Sequence, residues 1–220
     1  MSLGHIAVTK ENSVRKLWIW GDNNWSCIGG VISEIPKEVT IEGINLEDLY
    51  IFISGQMSIL AQKDNNMFLT GAISSSGSTI VVNGVNKTLS SYTKSSITEY
   101  LNINENLSFR KIVKNGVLGN NLYQMSDYSV YGLGNQSLLG MGTSSTEYLT
   151  VPQKINTPEQ FIDVVGGKNF YIAITADGKV YGTGSNTNGI LGRWMGIDRK
   201  QPNSRYKTAF EWVECPELEI

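Results

Sequence analysis

The side chains that could carry chemistry are few and scattered along the chain. His5 is the single histidine among 220 residues, and Cys27 and Cys215 are the only cysteines. A metal site or a catalytic triad needs several such groups together. We therefore expect His5 to be a structural strand residue and both thiols to be buried or inert.

Motifs that would indicate catalysis are also missing from the sequence. There is no phosphate-binding loop of the Gly-x-x-x-x-Gly-Lys-Ser/Thr type. The glycine-rich stretches Gly132–Gly134 and Gly182–Gly184 are not followed by a predicted helix, which a dinucleotide site requires. The acidic pair Glu47 and Asp48 is too unspecific to indicate a glycosidase. The sequence predicts no enzyme, with no catalytic, cofactor-binding or metal-binding residue.

One segment, residues 193–207, concentrates positive charge. It holds five of the 18 basic residues of a chain whose net charge is −2, and it contains aromatic residues as well. Arg, Trp and Tyr are enriched at the centres of protein interfaces. We predict that this segment binds a protein partner, possibly an acidic one, with a solvated loop as the alternative. Residues 74–107, an insertion in the second repeat, are the second choice for the binding surface, with a variable surface loop or an atypical blade as the alternative. The residues expected to contact the partner are Arg193, Trp194, Arg199, Lys200, Arg205 and Tyr206.

Charge and hydropathy favour a protein partner over other classes. The sequence pI is about 5.5 and no long run of like charge is present, so nucleic acid is not the expected partner. No apolar run approaches the ~20 residues that cross a membrane, and no classical signal peptide is visible. A cytoplasmic or virion-associated location is favoured. The composition, rich in Asn, Ile and Lys, is typical of an AT-rich microbial genome or its virus.

A repeated phrase organises the chain. Val130–Gly134 reads Val-Tyr-Gly-Leu-Gly, and Val180–Gly184 reads Val-Tyr-Gly-Thr-Gly, 50 residues later. Related phrases end at Gly71 and at Gly21. Each phrase begins a unit with about four short strands separated by turns, which buries little surface without its neighbours.

The units predict an all-β fold, a β-propeller of four-stranded blades in one domain spanning residues 1–220. Radial repetition of four-stranded sheets is the propeller architecture, and a non-repetitive sandwich is the alternative. The predicted units cover about 16–66, 67–128, 129–178, and 179–220 together with 1–15.

These repeats resemble those of the regulator of chromosome condensation family. That family's repeat has an aromatic-Gly-x-Asn opening, a later Leu-Gly, a Pro-x-x-Ile/Val strand, and a Gly-x-x-His-x-x-Ala-Leu-Thr close. Trp20–Asn23 fits the opening, Pro152–Ile155 fits the middle, and Gly167–Thr175 fits the close with Phe170 in the histidine position. The resemblance implies a propeller, although the family usually has seven blades and this chain has material for about four.

The two ends of the chain hold the two parts of a split repeat. Gly4–Thr9 reads as the closing strand of a repeat, whereas the last unit, from Lys179, shows no closing strand. We therefore expect the first strand to complete the last blade, which would close a ring and hide sheet edges. A fragment of a larger propeller, or a propeller shared between copies through self-association, is the alternative.

The sequence favours a non-enzymatic module for protein interaction or assembly. The resemblance also implies an alternative, guanine-nucleotide exchange on a small GTPase. Composition suggests a third, a carbohydrate-binding or virion surface protein. Trp18, Trp20, Tyr131 and Tyr181 are expected to be structural and to pack within or between blades.

Overall fold

A computed structural model describes the protein at residues 4–21, 33–47, 49–54, 57–62, 65–71, 80–82, 85–87, 89–103, 106–115, 120–192 and 208–215. These residues form two compact units, Met1–Phe109 and Arg110–Ile220. The predicted partner-binding residues between Arg193 and Tyr206 lie outside the described residues, as does Cys27. Among the described residues, no helix has the length and apolar character needed to cross a membrane.

The first unit contains two antiparallel sheets and a small hairpin. The first sheet has three strands in the order β1-β2-β3. The second sheet has four strands in the order β4-β5-β6-β9, with the β7-β8 hairpin inserted before its last strand. The bounds are β1 Gly4–Glu11, β2 Val14–Gly21, β3 Ser33–Val39, β4 Tyr50–Ser54, β5 Met57–Ala61, β6 Asn66–Gly71, β7 Ile80–Val82, β8 Val85–Lys87 and β9 Leu89–Ser96.

The insertion at 74–107 is therefore partly blade structure. It contains β9, the fourth strand of the second sheet, and β7 and β8 pair with each other as a small two-stranded sheet. The short helix α1, Ile97–Leu101, follows β9 directly. Ser96 accepts a hydrogen bond from the backbone N–H of Glu99, and the Glu99 carboxylate accepts one from the Ser96 N–H, so a capping box begins the helix.

The second unit contains the third and fourth sheets, each with four consecutive antiparallel strands. A 3₁₀ turn follows the third strand of each sheet, at Gln136–Leu138 and Thr187–Gly189. The strand bounds are β10 Phe109–Asn115, β11 Asn120–Met125, β12 Val130–Asn135, β13 Tyr148–Ile155, β14 Phe161–Gly166, β15 Phe170–Thr175, β16 Val180–Gly184 and β17 Ala209–Glu214.

All four sheets have a β-bulge at the equivalent position, which explains why a glycine recurs along the sequence. The next-to-last strand of each sheet is interrupted by a β-bulge that ends at Gly21, Gly71, Gly134 or Gly184. Gly134 and Gly184 have φ values of 114° and 94°, a region that glycine enters without strain. A Cβ at Gly184 would also overlap the backbone of Asn169. The sequence period therefore marks a point where the backbone requires glycine.

The expected all-β architecture of blade-like sheets is confirmed, but the expected position of the first strand is wrong. β1 pairs with β2 over all eight residues, from Gly4 with Gly21 to Glu11 with Val14. The fourth sheet already has four strands between Phe161 and Glu214. The sequence units begin at the next-to-last strand of each sheet, so each sheet joins the close of one unit to the opening of the next. A closing strand such as β1 thus pairs with the opening strand that follows it.

The core of each unit lies between its sheets. In the first unit, Leu17 and Ile19 of the first sheet pack with Leu60 and Phe68 of the second. In the second unit, Leu122, Val130 and Ile155 of the third sheet pack with aromatic residues of the fourth sheet. The whole cluster consists of Val113, Leu122, Val130, Leu139, Leu149, Ile155, Phe161, Val164, Tyr171, Ala173, Tyr181 and Trp212.

Polar contacts fix the third sheet against the fourth. Gln124 donates from Nε2 to the carbonyl of Phe161 at 2.7 Å, and this bond is buried. The Lys111 ammonium lies 2.7 Å from the Asp163 carboxylate. Together with the apolar cluster, these contacts set the position of one sheet on the other.

Candidate functional site

Two sheet faces, one in each unit, carry apolar side chains that remain partly exposed. The first belongs to the first sheet, opposite the side that carries Leu17 and Ile19. We call it the tryptophan face; its residues are His5, Ala7, Thr9, Trp18, Trp20 and Pro36.

The tryptophan face arises from strand alternation. Ala7 pairs with Trp18 and His5 pairs with Trp20, so these four side chains project on the same side of β1 and β2. The His5 and Trp20 rings stack with centroids 5.2 Å apart. Trp18 donates from Nε1 to the Thr9 hydroxyl at 2.8 Å, which holds the indole in place.

Both indoles of the tryptophan face remain half-buried, and His5 and Pro36 are exposed. Ala7, Thr9, Trp18, Trp20 and Pro36 line an apolar depression of about 280 Å³. Trp18, Trp20, Tyr131 and Tyr181 were all expected to pack within or between blades. Tyr131 and Tyr181 do so, at 5% and 6% exposed. That expectation does not describe Trp18 and Trp20.

The second face lies on the fourth sheet, on the side away from the third. We call it the aliphatic face; its residues are Val165, Phe170, Ile172, Val180, Leu191, Ala209, Val213 and Cys215. Val165 is 49% exposed, and Phe170, Ile172 and Val213 are half-buried. The remaining four residues, Val180, Leu191, Ala209 and Cys215, are buried.

A polar network lies at one end of the fourth sheet. Glu159 Oε1 accepts a hydrogen bond from Lys179 Nζ at 2.7 Å and another from the Tyr181 hydroxyl at 2.8 Å. Asp177 accepts a hydrogen bond from the Thr175 hydroxyl and lies 3.3 Å from Lys179. These bonds tie the segment before β14 to the turn between β15 and β16.

The electrostatics of this network move each pKa away from neutrality. Hydrogen bonds from Lys179 and Tyr181 lower the pKa of Glu159, and those with Glu159 and Asp177 raise the pKa of Lys179. Burial, followed by the hydrogen bond to Glu159, raises the pKa of Tyr181 to about 12. General acid–base catalysis works best with a pKa near the working pH. The network is instead suited to holding fixed charges in place.

A groove of about 410 Å³ lies between the third and fourth sheets, lined in part by Gly140, Lys154, Glu211 and Trp212. Trp212 is 7% exposed and its Nε1 has no hydrogen-bond partner among the described residues. The described residues contain no group of three or more His, Cys, Asp and Glu side chains that could hold a metal ion.

The sequence did not identify either face as a site. Period-2 alternation places Trp18 and Trp20 on one side of a strand, but it does not say whether another sheet covers that side. The predicted residues Arg193, Trp194, Arg199, Lys200, Arg205 and Tyr206 cannot be placed relative to either face, because they lie outside the described residues.

Comparison with known proteins supports the repeat and the fold. Residues 161–190 match the family model of the regulator of chromosome condensation (RCC1) repeat. No curated protein matches the chain at a significant level.

Solved structures with this fold include human WBSCR16, at 15% identity and a TM-score of 0.63, over 96% of this chain and 49% of that one. Yeast RCC1 (Prp20), solved with Kap60 bound to it, matches at 13% identity and a TM-score of 0.63, over 95% of this chain and 48% of that one. A further structure of Prp20p from Saccharomyces cerevisiae, described with its binding properties to Gsp1p and histones, matches at 14% identity and a TM-score of 0.63. The match covers 94% of this chain and 48% of that one. The chain spans about half the length of these proteins. It carries an RCC1 repeat and has the blade architecture of RCC1-like β-propellers.

Proposed function

We propose that this chain is a non-enzymatic protein-interaction module whose tryptophan face binds a protein partner. The observation that carries the proposal is the pair of half-buried indoles, Trp18 and Trp20, beside an apolar depression on an otherwise regular sheet. Tryptophan is enriched among the residues that contribute most to binding energy at protein interfaces.

The tryptophan face is ordered before any partner arrives. Trp18 is held by its hydrogen bond to Thr9, its ring lies within 5.8 Å of the Lys16 ammonium, and Trp20 is held by its stacking on His5. A side chain that is already immobilised loses less conformational entropy on binding. The arrangement therefore favours a partner with a complementary apolar surface.

The fold is consistent with this role. Prp20p, which has the same blade architecture, is described as binding Gsp1p and histones, and in another structure it is bound to Kap60. At 13–14% identity this likeness concerns the fold. The partner proposed here is a protein rather than a nucleic acid, because the chain carries a net charge of −2.

A pull-down with matched variants tests the proposal. Wild type, Trp18→Asp and the control Val14→Asp are used as bait; Val14 is 57% exposed and lies at the β1-β2 hairpin, beyond the depression. We expect a protein that is retained by wild type and by Val14→Asp but lost with Trp18→Asp.

The captured protein is then purified, and its affinity for the three forms is measured by calorimetry. A loss of affinity of about 30-fold or more, equivalent to about 2 kcal/mol, is expected for Trp18→Asp alone. If every retained protein, including a second copy of this chain, binds Trp18→Asp and wild type equally, the proposal is wrong.

A further inference from the structure

The first sheet has one strand fewer than the second, third and fourth sheets, which have four each. The bulge glycine aligns the sheets strand by strand, so that Gly21 of β2 corresponds to Gly184 of β16. Gly4 of β1 pairs with Gly21 as Phe170 of β15 pairs with Gly184, so β1 and β15 are equivalent strands. Among the described residues, the first sheet therefore has no strand in the position that β14 holds in the fourth sheet.

Part of β1 has nearly the same sequence as β15. Residues 6–9 read Ile-Ala-Val-Thr, and residues 172–175 at the equivalent positions read Ile-Ala-Ile-Thr. In the fourth sheet this segment lies between β14 and β16, and Ala173 is 2% exposed. In the first sheet the equivalent Ala7 is only half-buried, and β2 is the one described strand that pairs with β1. A sequence that forms an interior strand in one sheet thus forms an edge strand in the other.

The free edge of β1 presents the backbone groups of Ile6 and Val8. The turn between β1 and β2 is two residues long with φ values of 47° and 67°, as in a type I′ hairpin. In such a hairpin the residues that flank the turn, here Glu11 and Val14, exchange both backbone hydrogen bonds. Every second residue back from Glu11 therefore bonds to β2, and Ile6 and Val8 direct their N–H and C=O groups to the free edge. In the described part of the chain these groups have no hydrogen-bond partner.

The two edges of the first sheet differ in how well they resist pairing with another chain. The opposite edge, β3, contains one proline and three charged residues, which are Pro36, Glu34, Lys37 and Glu38. Proline and charge are common means of keeping an exposed strand unpaired. Residues 4–9 of β1 contain no proline and no Asp, Glu, Lys or Arg. β1 therefore has the composition of a strand that is paired along both of its edges.

The first strands of the second and fourth sheets show which residues suit a strand beside β1. Each carries two adjacent apolar residues opposite the counterparts of Ala7 and Ile6. They are Ile51 and Phe52 in β4, and Val164 and Val165 in β14. Neighbouring residues of a strand face opposite sides of the sheet, so a strand in this position is apolar on both sides.

One of those two side chains would meet the tryptophan face. Val164 packs in one core cluster with Ala173 and Tyr181, which pair with each other. The counterparts of these two residues in the first sheet are Ala7 and Trp18, which also pair with each other and line the apolar depression. An apolar side chain opposite Ala7, on a strand added beside β1, therefore lies on the same side of the sheet as the depression.

We propose that the protein partner adds an extended segment to the free edge of β1, antiparallel to β1, with an apolar side chain opposite Ala7 and beside Trp18. This inference rests on the proposed function and specifies how its partner binds. In strand addition, backbone hydrogen bonds supply affinity and pockets for alternate side chains supply specificity. Here Ile6 and Val8 supply the backbone groups and the depression supplies the pocket. The segment it accepts is about as long as β14, six residues, with two adjacent apolar residues at its centre and no proline.

The first experiment uses a peptide with the sequence of residues 159–167, which includes β14. A fluorescent label on the peptide reports binding to the full chain by anisotropy, and a scrambled peptide of the same composition is the control. We expect saturable binding of the β14 peptide and an affinity for the scrambled peptide that is lower by about 10-fold or more. Hydrogen exchange at the amides of Ile6 and Val8 should slow when the β14 peptide is added, because those amides become hydrogen-bonded.

A proline substitution then blocks the edge while leaving both indoles in place. Val8→Pro removes an N–H that points to the free edge, and it removes no hydrogen bond to β2. Lys10→Pro is the matched control: its N–H points to the same edge, but β14 extends only to the position opposite Thr175, the counterpart of Thr9. We expect Val8→Pro to weaken binding of the peptide by about 10-fold or more and Lys10→Pro to bind it like wild type. Circular dichroism checks that both variants fold.

A second measurement changes the peptide and leaves the protein intact, so it remains informative if Val8→Pro does not fold. In the fourth sheet the Val164 N–H bonds to the Asp163 carboxylate at 2.9 Å. By alternation, the Val165 N–H is the one directed to β15. N-methylation of the peptide at Val165 should therefore abolish binding to wild type, whereas N-methylation at Val164 should be tolerated. A peptide held by its side chains would not show this alternation.

Three outcomes would overturn the inference. These are equal binding of the β14 and scrambled peptides, equal binding of the β14 peptide to wild type and folded Val8→Pro, and an equal effect of the two N-methylations. The pull-down separates this inference from the proposed function. A partner that is lost from the Trp18→Asp bait but retained by folded Val8→Pro docks on the tryptophan face without adding a strand, which overturns this inference and supports the proposed function. A partner that Trp18→Asp and wild type bind equally overturns the proposed function, whatever the peptide does.

Discussion

Truncation of Phe161 is expected to be among the most destabilising changes in the second unit. Phe161 is 0% exposed, and its ring centroid lies 4.7 Å from that of Trp212 and 5.5 Å from that of Tyr181. Replacing a buried Phe with Ala costs about 3–5 kcal/mol through lost transfer energy and the cavity left behind. Each aromatic contact adds about 0.5–1.5 kcal/mol beyond buried area. We therefore expect Phe161→Ala to cost at least about 4 kcal/mol, the lower end of the two contributions taken together.

The measurement is thermal and urea unfolding followed by circular dichroism. A loss of about 4 kcal/mol lowers the melting temperature by roughly 10 °C in a chain of this size. Phe210→Ala is the matched control, because Phe210 is 38% exposed and is expected to cost less than about 1 kcal/mol. If Phe161→Ala and Phe210→Ala melt within 2 °C of each other, the assignment of Phe161 to the core between the sheets is wrong.

The remaining predictions concern the bulge, the polar network and the basic segment. Gly184→Ala should lower the melting temperature more than Gly142→Ala, because both glycines have positive φ but a Cβ at Gly184 meets the Asn169 backbone whereas one at Gly142 has no atom within 4 Å; equal melting temperatures would contradict this. Because the pKa of Glu159 is lowered in the folded protein, its contribution to stability is present above the unfolded pKa of about 4.3 and is lost as the pH falls through the folded pKa. In the Glu159→Gln variant, the melting temperature should therefore fall less steeply with decreasing pH in the acidic range than it does in wild type. The same substitution should bring the pKa of Tyr181 down from about 12, measured by absorbance of the phenolate, and an unchanged value would separate Tyr181 from Glu159. Trp194→Ala and Arg199→Ala should each weaken the binding of an acidic protein partner without changing the circular dichroism spectrum, and Arg199→Ala should also make that binding less dependent on salt. If wild type and both variants bind the partner with equal affinity at low and at moderate salt, this segment is not the binding surface.

The repeat, the strands and the blade-like sheets were predictable from the sequence alone. The bulge glycines recur because only glycine tolerates the positive φ and close backbone approach at Gly134 and Gly184, so backbone geometry appears directly as a sequence period. Alternation within β1 and β2 likewise placed Trp18 and Trp20 on one side of a sheet.

The tertiary structure decided which strand pairs with which, and which faces are covered. The sequence period has no natural starting point, so it cannot show that the sheets begin half a repeat away from the units, which is why β1 was expected in the last blade rather than beside β2. Nor does a half-apolar strand pattern distinguish a covered face from an uncovered one. Tyr181 and Trp18 occupy equivalent positions, yet Tyr181 lies buried between two sheets while Trp18 remains half-exposed, because burial depends on what packs against a strand and not on the strand's own residues.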